Sequence, residues 1–341
     1  MKKGYVKPDL KSLHYDTEIG KISSLEGKTI AITGTTTGTG FIAAKTVVEK
    51  GAKVILLNRK SDRSQNAYDR LKKTYPKADM INIECDLQSF KSVRKAAQNV
   101  KDICENGLDV LCNNAGVMAI KDQATVDGFD VQMQTNHLSH FLLTKELIPF
   151  LKIAAENRGE ARVVNHSSIA RLGDKKLKAK FLEKRGGSLG GNASNMMLAS
   201  FTRRGRWARY SQTKLANAAF TACLHEKFER AELNLKALVA HPGLAMTDLQ
   251  TTTVNDGGMG AMLARQMMKY GQTMEDGALG IIKCMVDVDA KSGEFYGPGT
   301  GMFALKGPVI KFGLEKFYNN RKTKDLLWTK SCEAIGEEFV V

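Results

Sequence analysis

The apolar residues of this chain fall into two alternating patterns. Short unbroken apolar runs occur at 28–34 (KTIAITG), 53–59 (KVILLNR), 80–87 (MINIECDL), 108–116 (LDVLCNNAG), 161–168 (ARVVNHSS) and 235–243 (LKALVAHPG). Runs of that length, bounded by Gly, Asn or charged residues, are buried strands. Between them the apolar positions recur at helical spacing. GFIAAKTVVEKGA follows the first run and stops near Gly51. Further helices are predicted near 62–75, over 89–104, from about 126 to 153, from Tyr210 onward and near 275–287, the last preceding GEFYGP.

Strands alternating with helices imply βαβ units with right-handed crossovers, and so a parallel sheet covered on both faces. The fold class is therefore α/β, a doubly wound parallel sheet of Rossmann type. Nothing in the 341 residues repeats, and no Pro/Ser-rich linker divides them. This predicts a single domain over 27–300 with an N-terminal arm (1–26) and a C-terminal tail (301–341) packing on the same domain. A basic insertion (171–207) lies between the fifth strand and the Tyr210 helix, and 244–274 forms a substrate lid.

Composition narrows the class further. Apolar residues make up 43% of the chain and charged residues 26%, an ordinary globular balance. No apolar run reaches the roughly 18–20 residues of a membrane span. The basic N-terminus has no apolar stretch behind it, unlike a secretory signal. Cys85, Cys104, Cys112, Cys223, Cys284 and Cys332 form no C-x-x-C pair. Reduced thiols and a cytoplasmic location are the expectation, with no metal site. The net charge is +15, and 171–209 holds eleven Lys/Arg against Asp174 and Glu183. Such a segment predicts either a solvated face or peripheral contact with an anionic surface. No aromatic residues interleave in a nucleic-acid-binding pattern, so no specific nucleic-acid partner is expected.

The candidate chemistry sits at the ends of the strands. TGTTTGTG (33–40) joins the first strand to the first helix and carries Gly34, Gly38 and Gly40. Glycines there permit a tight turn and close approach of a phosphate to backbone N–H groups at a helix N-terminus. The second strand ends at Asn58-Arg59, where an acid would bind a ribose 2′-hydroxyl. Arg59 instead offers a fork suited to a 2′-phosphate, with Lys60 adding charge. Tyr210 and Lys214 are four apart in YSQTKLAN, on one helical face.

These motifs together resemble the short-chain dehydrogenase/reductases over roughly 27–300. The glycine loop matches that family's TGxxxGxG, with Thr36 and Thr37 inside it. Asp86-Leu87 is similar to its adenine-contacting pair, and NNAG supplies Asn114, Ala115 and Gly116. TNHLSHFLLT carries the helix asparagine as Asn136, VVNHSS the serine as Ser168, and HPGLAMT the Pro242, Gly243 and Thr247 that face a carboxamide. The resemblance implies NADP(H) as cofactor. It implies Tyr210 as the proton donor to a carbonyl oxygen, Lys214 as the charge that favours phenolate beside oxidised nicotinamide, Ser168 as the orienting hydroxyl and Asn136 as the holder of a water leading to Lys214.

Ser168 and Tyr210 are 42 positions apart. Two subgroups resembling this chain insert sequence there: retinol-dehydrogenase-like reductases and light-dependent protochlorophyllide reductases. The latter carry a cysteine after Pro-Gly, where this chain has Leu244. The leading expectation is a hydride transfer to or from a carbonyl or alcohol of a medium-sized apolar substrate. The alternatives are C=C reduction of a porphyrin-type substrate and a non-catalytic NADP(H)-binding regulator. Met246, Met259, Met262, Met267, Met268 and Met274 cluster in the lid, where flexible thioethers suit irregular apolar ligands. GGSLGGNAS (186–194) is expected to form a mobile flap. The resemblance admits a monomer or a homodimer.

Overall fold

A computed structural model describes residues 9–185, 190–193, 205–300 and 305–341. Eight strands form one sheet in the order β3-β2-β1-β4-β5-β6-β7-β8. They are β1 (Thr29–Thr33), β2 (Lys53–Asn58), β3 (Met80–Glu84), β4 (Val110–Asn113), β5 (Ala161–His166), β6 (Leu235–Ala240), β7 (Glu294–Thr300) and β8 (Lys306–Gly313). The first seven run parallel and β8 is antiparallel to β7. The order reverses between β1 and β4, the switch point at which doubly wound sheets bind ligands.

Side chains alternate across the sheet and feed two cores. On one face Ile30, Ile32, Val54 and Leu56 pack with α1 (Tyr15–Gly20), α2 (Gly38–Glu49), α3 (Asp62–Thr74) and a helix over Met274–Val286. On the other, Ala31, Ile55, Leu57 and Val163 meet α4 (Phe90–Lys101), α5 (Val131–Met133), α6 (Ser139–Arg158) and α7 (Gly205–Arg230). The remaining helices are α8 (Asp248–Asn255), α9 (Ala261–Met268), α10 (the Met274–Val286 helix) and α11 (Arg321–Ile335).

Three elements differ from the expectation. The long helix begins at Val131, not near 126, because the Asp130 carboxylate caps it by accepting from Gln132 N and Met133 N at 3.1 and 3.0 Å. It then passes through a π turn, Gln134–Leu138, and runs on to Arg158. The Tyr210 helix opens at Gly205, five residues before Tyr210. Its first turns are held by Arg206 Nη1 on Asp256 O (2.8 Å) and Trp207 Nε1 on Gly258 O (2.9 Å). The sheet does not end at 300, since the tail supplies β8 and α11. Trp328 of α11 packs against Phe141 of α6 and Phe220 of α7, with ring centroids 5.1 and 6.2 Å apart.

The basic segment is not one continuous charged face. Arg171 forks onto Glu315, Arg206 pairs with Asp256 at 2.6 Å, and fully buried Arg209 pairs with Asp130 at 3.0 Å. Arg203 and Arg204 lie outside the described residues, as does the expected flap except for 190–193. All six cysteines are free thiols. Among the described residues no helix is long and apolar enough to cross a membrane, and no group of side chains could hold a metal.

Candidate active site

The C-terminal ends of β1, β2, β4, β5 and β6 open into one cavity of about 1010 Å³. The glycine loop forms its floor. Gly34 sits at φ +72°, and a Cβ there would come within 2.8 Å of Ala115 Cα. A Cβ on Gly40 would meet Asn114 Nδ2 at 2.2 Å and Gly34 O at 2.3 Å. The loop is braced rather than loose. Asn114 Nδ2 donates to Thr33 O and Gly34 O at 2.9 and 3.1 Å. The side chain of Asn58 turns inward and exchanges two hydrogen bonds with Thr35.

This bracing leaves the loop well shaped for an anion. Thr37 is the N-cap of α2, yet its side chain does not cap the helix. The first-turn N–H groups of α2 therefore keep their partial positive charge for another acceptor. Gly38, Thr39 and Gly40 line the cavity there. Arg59 follows Asn58 at the rim, exposed, and its guanidinium makes no hydrogen bond or ion pair among the described residues. The residues thus fit a dinucleotide: a phosphate at the α2 N-terminus and a guanidinium beside the adenosine end.

At the other end Ser168, Tyr210 and Lys214 converge. Ser168 lies beside the Tyr210 phenol and lowers its pKa, and Ser168 Oγ accepts from Ala170 N at 3.2 Å. Lys214 Nζ donates to His166 O at 3.0 Å and lies 5.8 Å from the centroid of the Tyr210 ring. Burial pushes the Tyr210 phenol up to about 12 against the smaller opposing effect of Ser168, and pushes the Lys214 ammonium down to about 8. Burial thus keeps Tyr210 as the protonated phenol at neutral pH.

Every site residue expected from the sequence except Asn136 lines this cavity: Gly34, Thr36, Thr37, Gly38, Gly40, Arg59, Asp86, Leu87, Asn114, Ala115, Gly116, Ser168, Tyr210, Lys214, Pro242, Gly243 and Thr247. Asn136 is fully buried in the π turn behind the wall. Its Oδ1 accepts from Val117 N at 2.8 Å, and its Nδ2 donates to Val117 O and Thr213 Oγ1, both at 2.9 Å. Both amide protons are committed to the protein. The side chain thus braces the wall, and of its polar atoms only Oδ1, with its second lone pair, is left for the expected water.

Sequence reasoning missed several lining residues. Trp207 lies one helical turn before Tyr210 and edges onto its ring at 6.0 Å, but the basic run around it hid the helix. Met118, Leu172 and Leu305 add apolar wall, as do Met259, Met267 and Met268 from the lid. Met262 points to solvent instead, 77% exposed, and Met274 packs against the core on the α2 face. Asp248, the first residue of α8, pairs with Arg63 and accepts from Thr37 Oγ1 at 2.8 Å, so lid and glycine loop are tied together.

A family model described as short chain dehydrogenase matches residues 28–179. Retinol dehydrogenase 12 of Bos taurus is 30% identical over 315 residues, covering 92% of this chain and 87% of the relative. A chloroplastic short-chain dehydrogenase of Brassica napus, TIC 32 A, is 33% identical over 230 residues, 65% of each chain. Among solved structures, an uncharacterized protein from Mycobacterium paratuberculosis superposes with a TM-score of 0.66 at 29% identity, covering 98% of this chain and all of that one.

Proposed function

Since the chain belongs to the short-chain dehydrogenase/reductase family of oxidoreductases, we propose that it transfers a hydride between NADP(H) and a carbonyl or alcohol of a medium-sized, mostly apolar substrate. The observation that carries this reading is the meeting of Ser168, Tyr210 and Lys214 at one end of a cavity that has a phosphate-shaped floor and an apolar far wall.

The cofactor's part is to supply or accept the hydride at its nicotinamide. The chain's own residues do the rest. The α2 N-terminus and Gly34–Gly40 loop would hold the pyrophosphate and Arg59 would take a 2′-phosphate, which favours NADP(H) over NAD(H). Asp86 and Leu87 would flank the adenine, and Pro242, Gly243 and Thr247 the carboxamide. Ser168 orients the substrate oxygen by hydrogen bonding. Tyr210, protonated at neutral pH, gives its phenolic proton to that oxygen as negative charge develops on it. Lys214, with its pKa drawn down to about 8, can accept or return a proton close to neutrality. The apolar wall from Trp207, Met118 and the lid methionines selects the substrate by burial and keeps water from the reacting atoms.

The test is oxidation of NADPH, compared with NADH, by the native protein and by Tyr210→Phe across a panel of apolar aldehydes, ketones and quinones. The expected result is turnover preferring NADPH and a fall of ~10²–10⁴-fold in kcat for the variant, the usual worth of a positioned acid. Tight NADPH binding with no turnover by the native protein on any of these substrates would overturn the reading.

A further inference from the structure

The lid helix α9 has two working faces. Its inner face, Ala264, Met267 and Met268, lines the cavity. Its outer side exposes Met262 (77%) and Leu263 (45%), and the turn after it exposes Tyr270 (69%). Single exposed apolar residues need no explanation. Here, however, three of the nine large exposed hydrophobic side chains among the described residues fall within 262–270. A fourth, Leu172, lines the same cavity from the far side of the insertion.

Residues 257–274 contain Arg265 and Lys269 and no acid. Beside Leu172, Lys175, Lys176 and Lys180 are exposed. Arg171, Arg206 and Arg209 are buried in ion pairs, Lys178 pairs with Asp174 and Arg185 with Glu183, while Lys175, Lys176 and Lys180 have no ion pair among the described residues. Apolar side chains among cations are what the headgroup region of an anionic bilayer accepts. A second copy docked face to face would set Arg265 and Lys269 against their own counterparts, which disfavours self-association here.

We propose that the outer side of α9, with Tyr270 and the lysines beside Leu172, docks on an anionic lipid surface, and that apolar substrate passes from the bilayer into the cavity beneath this helix. The route rests on the apolar-substrate reading above; the docking itself does not. With no membrane-crossing helix among the described residues, the contact is peripheral and reversible. It places the cavity mouth where an apolar substrate concentrates.

Flotation of the full chain with vesicles of phosphatidylcholine alone, or with added phosphatidylserine, tests the docking without any turnover. The expected result is co-flotation only with phosphatidylserine, released by raised salt. Arg265→Glu with Lys269→Glu is expected to weaken binding by about fivefold or more per removed charge. Met262→Glu with Tyr270→Glu should abolish it. Both double variants should turn over a short water-soluble carbonyl as the native protein does, and lose rate only on vesicle-borne substrate. Native protein left at the bottom of a low-salt gradient, or variants that float equally well, would overturn the docking. So would sedimentation revealing a dimer that Met262→Glu dissociates, which would assign the face to a second copy. A failed oxidoreductase reading would show instead as no turnover in solution with flotation intact.

Discussion

Asn136 shows how much one side chain can organise. By bonding both the N–H and the C=O of Val117 it does the work of a neighbouring strand for a loop residue that lines the cavity. Its third bond reaches Thr213, next to Lys214 on the catalytic helix. Asn136→Ala removes both partners of the half-buried Val117 backbone groups, at about 0.5–1.5 kcal/mol for each lost bond. The expected outcome is a clear fall in the denaturant midpoint together with reduced turnover. A midpoint that does not move while turnover drops would return Asn136 to the water-holding role suggested by the motif. The motif located this residue, but no pattern in TNHLSHFLLT could show a π turn or what the amide would meet. The same limit holds for Tyr210 and Lys214. Their spacing was legible in YSQTK, but the directions of their pKa shifts come from burial by residues far away in sequence.

At the scale of elements, the tie between lid and glycine loop is the feature the sequence hid. Thr247 caps α8 in a capping box with Gln250, which fixes Asp248 at the helix start. The Asp248 carboxylate then stands among Thr37 and Arg63 at the edge of the phosphate floor. A dinucleotide phosphate must share this space with a negative charge. Asp248→Asn removes that charge, and NADPH should bind about three- to tenfold more tightly, as about 1 kcal/mol of partly screened repulsion implies. The gain should shrink as salt rises. Weaker binding in a fluorescence titration would instead make Asp248 a group that positions the cofactor. The parallel strands were legible because strands buried on both faces are unbroken apolar runs. The edge strand β8 was not: KGPVIKFG alternates in burial and has polar neighbours, and nothing local marks its pairing with β7. The opening of α7 was hidden for a related reason. Arg206 and Arg209 look like solvent residues until Asp256 and Asp130 are seen to meet them.

For the whole molecule, the two cores enclose four histidines that share one consequence. Burial holds His137, His166 and His241 down to about 3 and His140 to about 4, so all four stay neutral in the folded chain at neutral pH. In the unfolded chain each titrates near 6.5. A folded pKa below the unfolded one gives stability that is fully present above about pH 6.5 and is lost as pH falls toward the folded values. Asp130 acts in the opposite direction. Burial raises its carboxyl to about 6, so its contribution is fully present below the unfolded value near 3.8 and is lost as pH rises through 6. Near pH 5 unfolding should therefore take up about three protons net, a loss of up to about 4 kcal/mol per pH unit. Urea denaturation at pH 7, 6 and 5 measures that slope. A replacement for His137, which lies between Phe141 and Phe220 and bonds Ser331 of α11 at 2.9 Å, should lower it by one proton. A flat profile from pH 7 to 5 would mean that these rings are hydrated in solution and that α11 does not seal the α6–α7 face. A steep one would set the conditions for every turnover assay: Lys214 and Tyr210 are already protonated at pH 6, so loss of rate below that pH would report unfolding of the two cores.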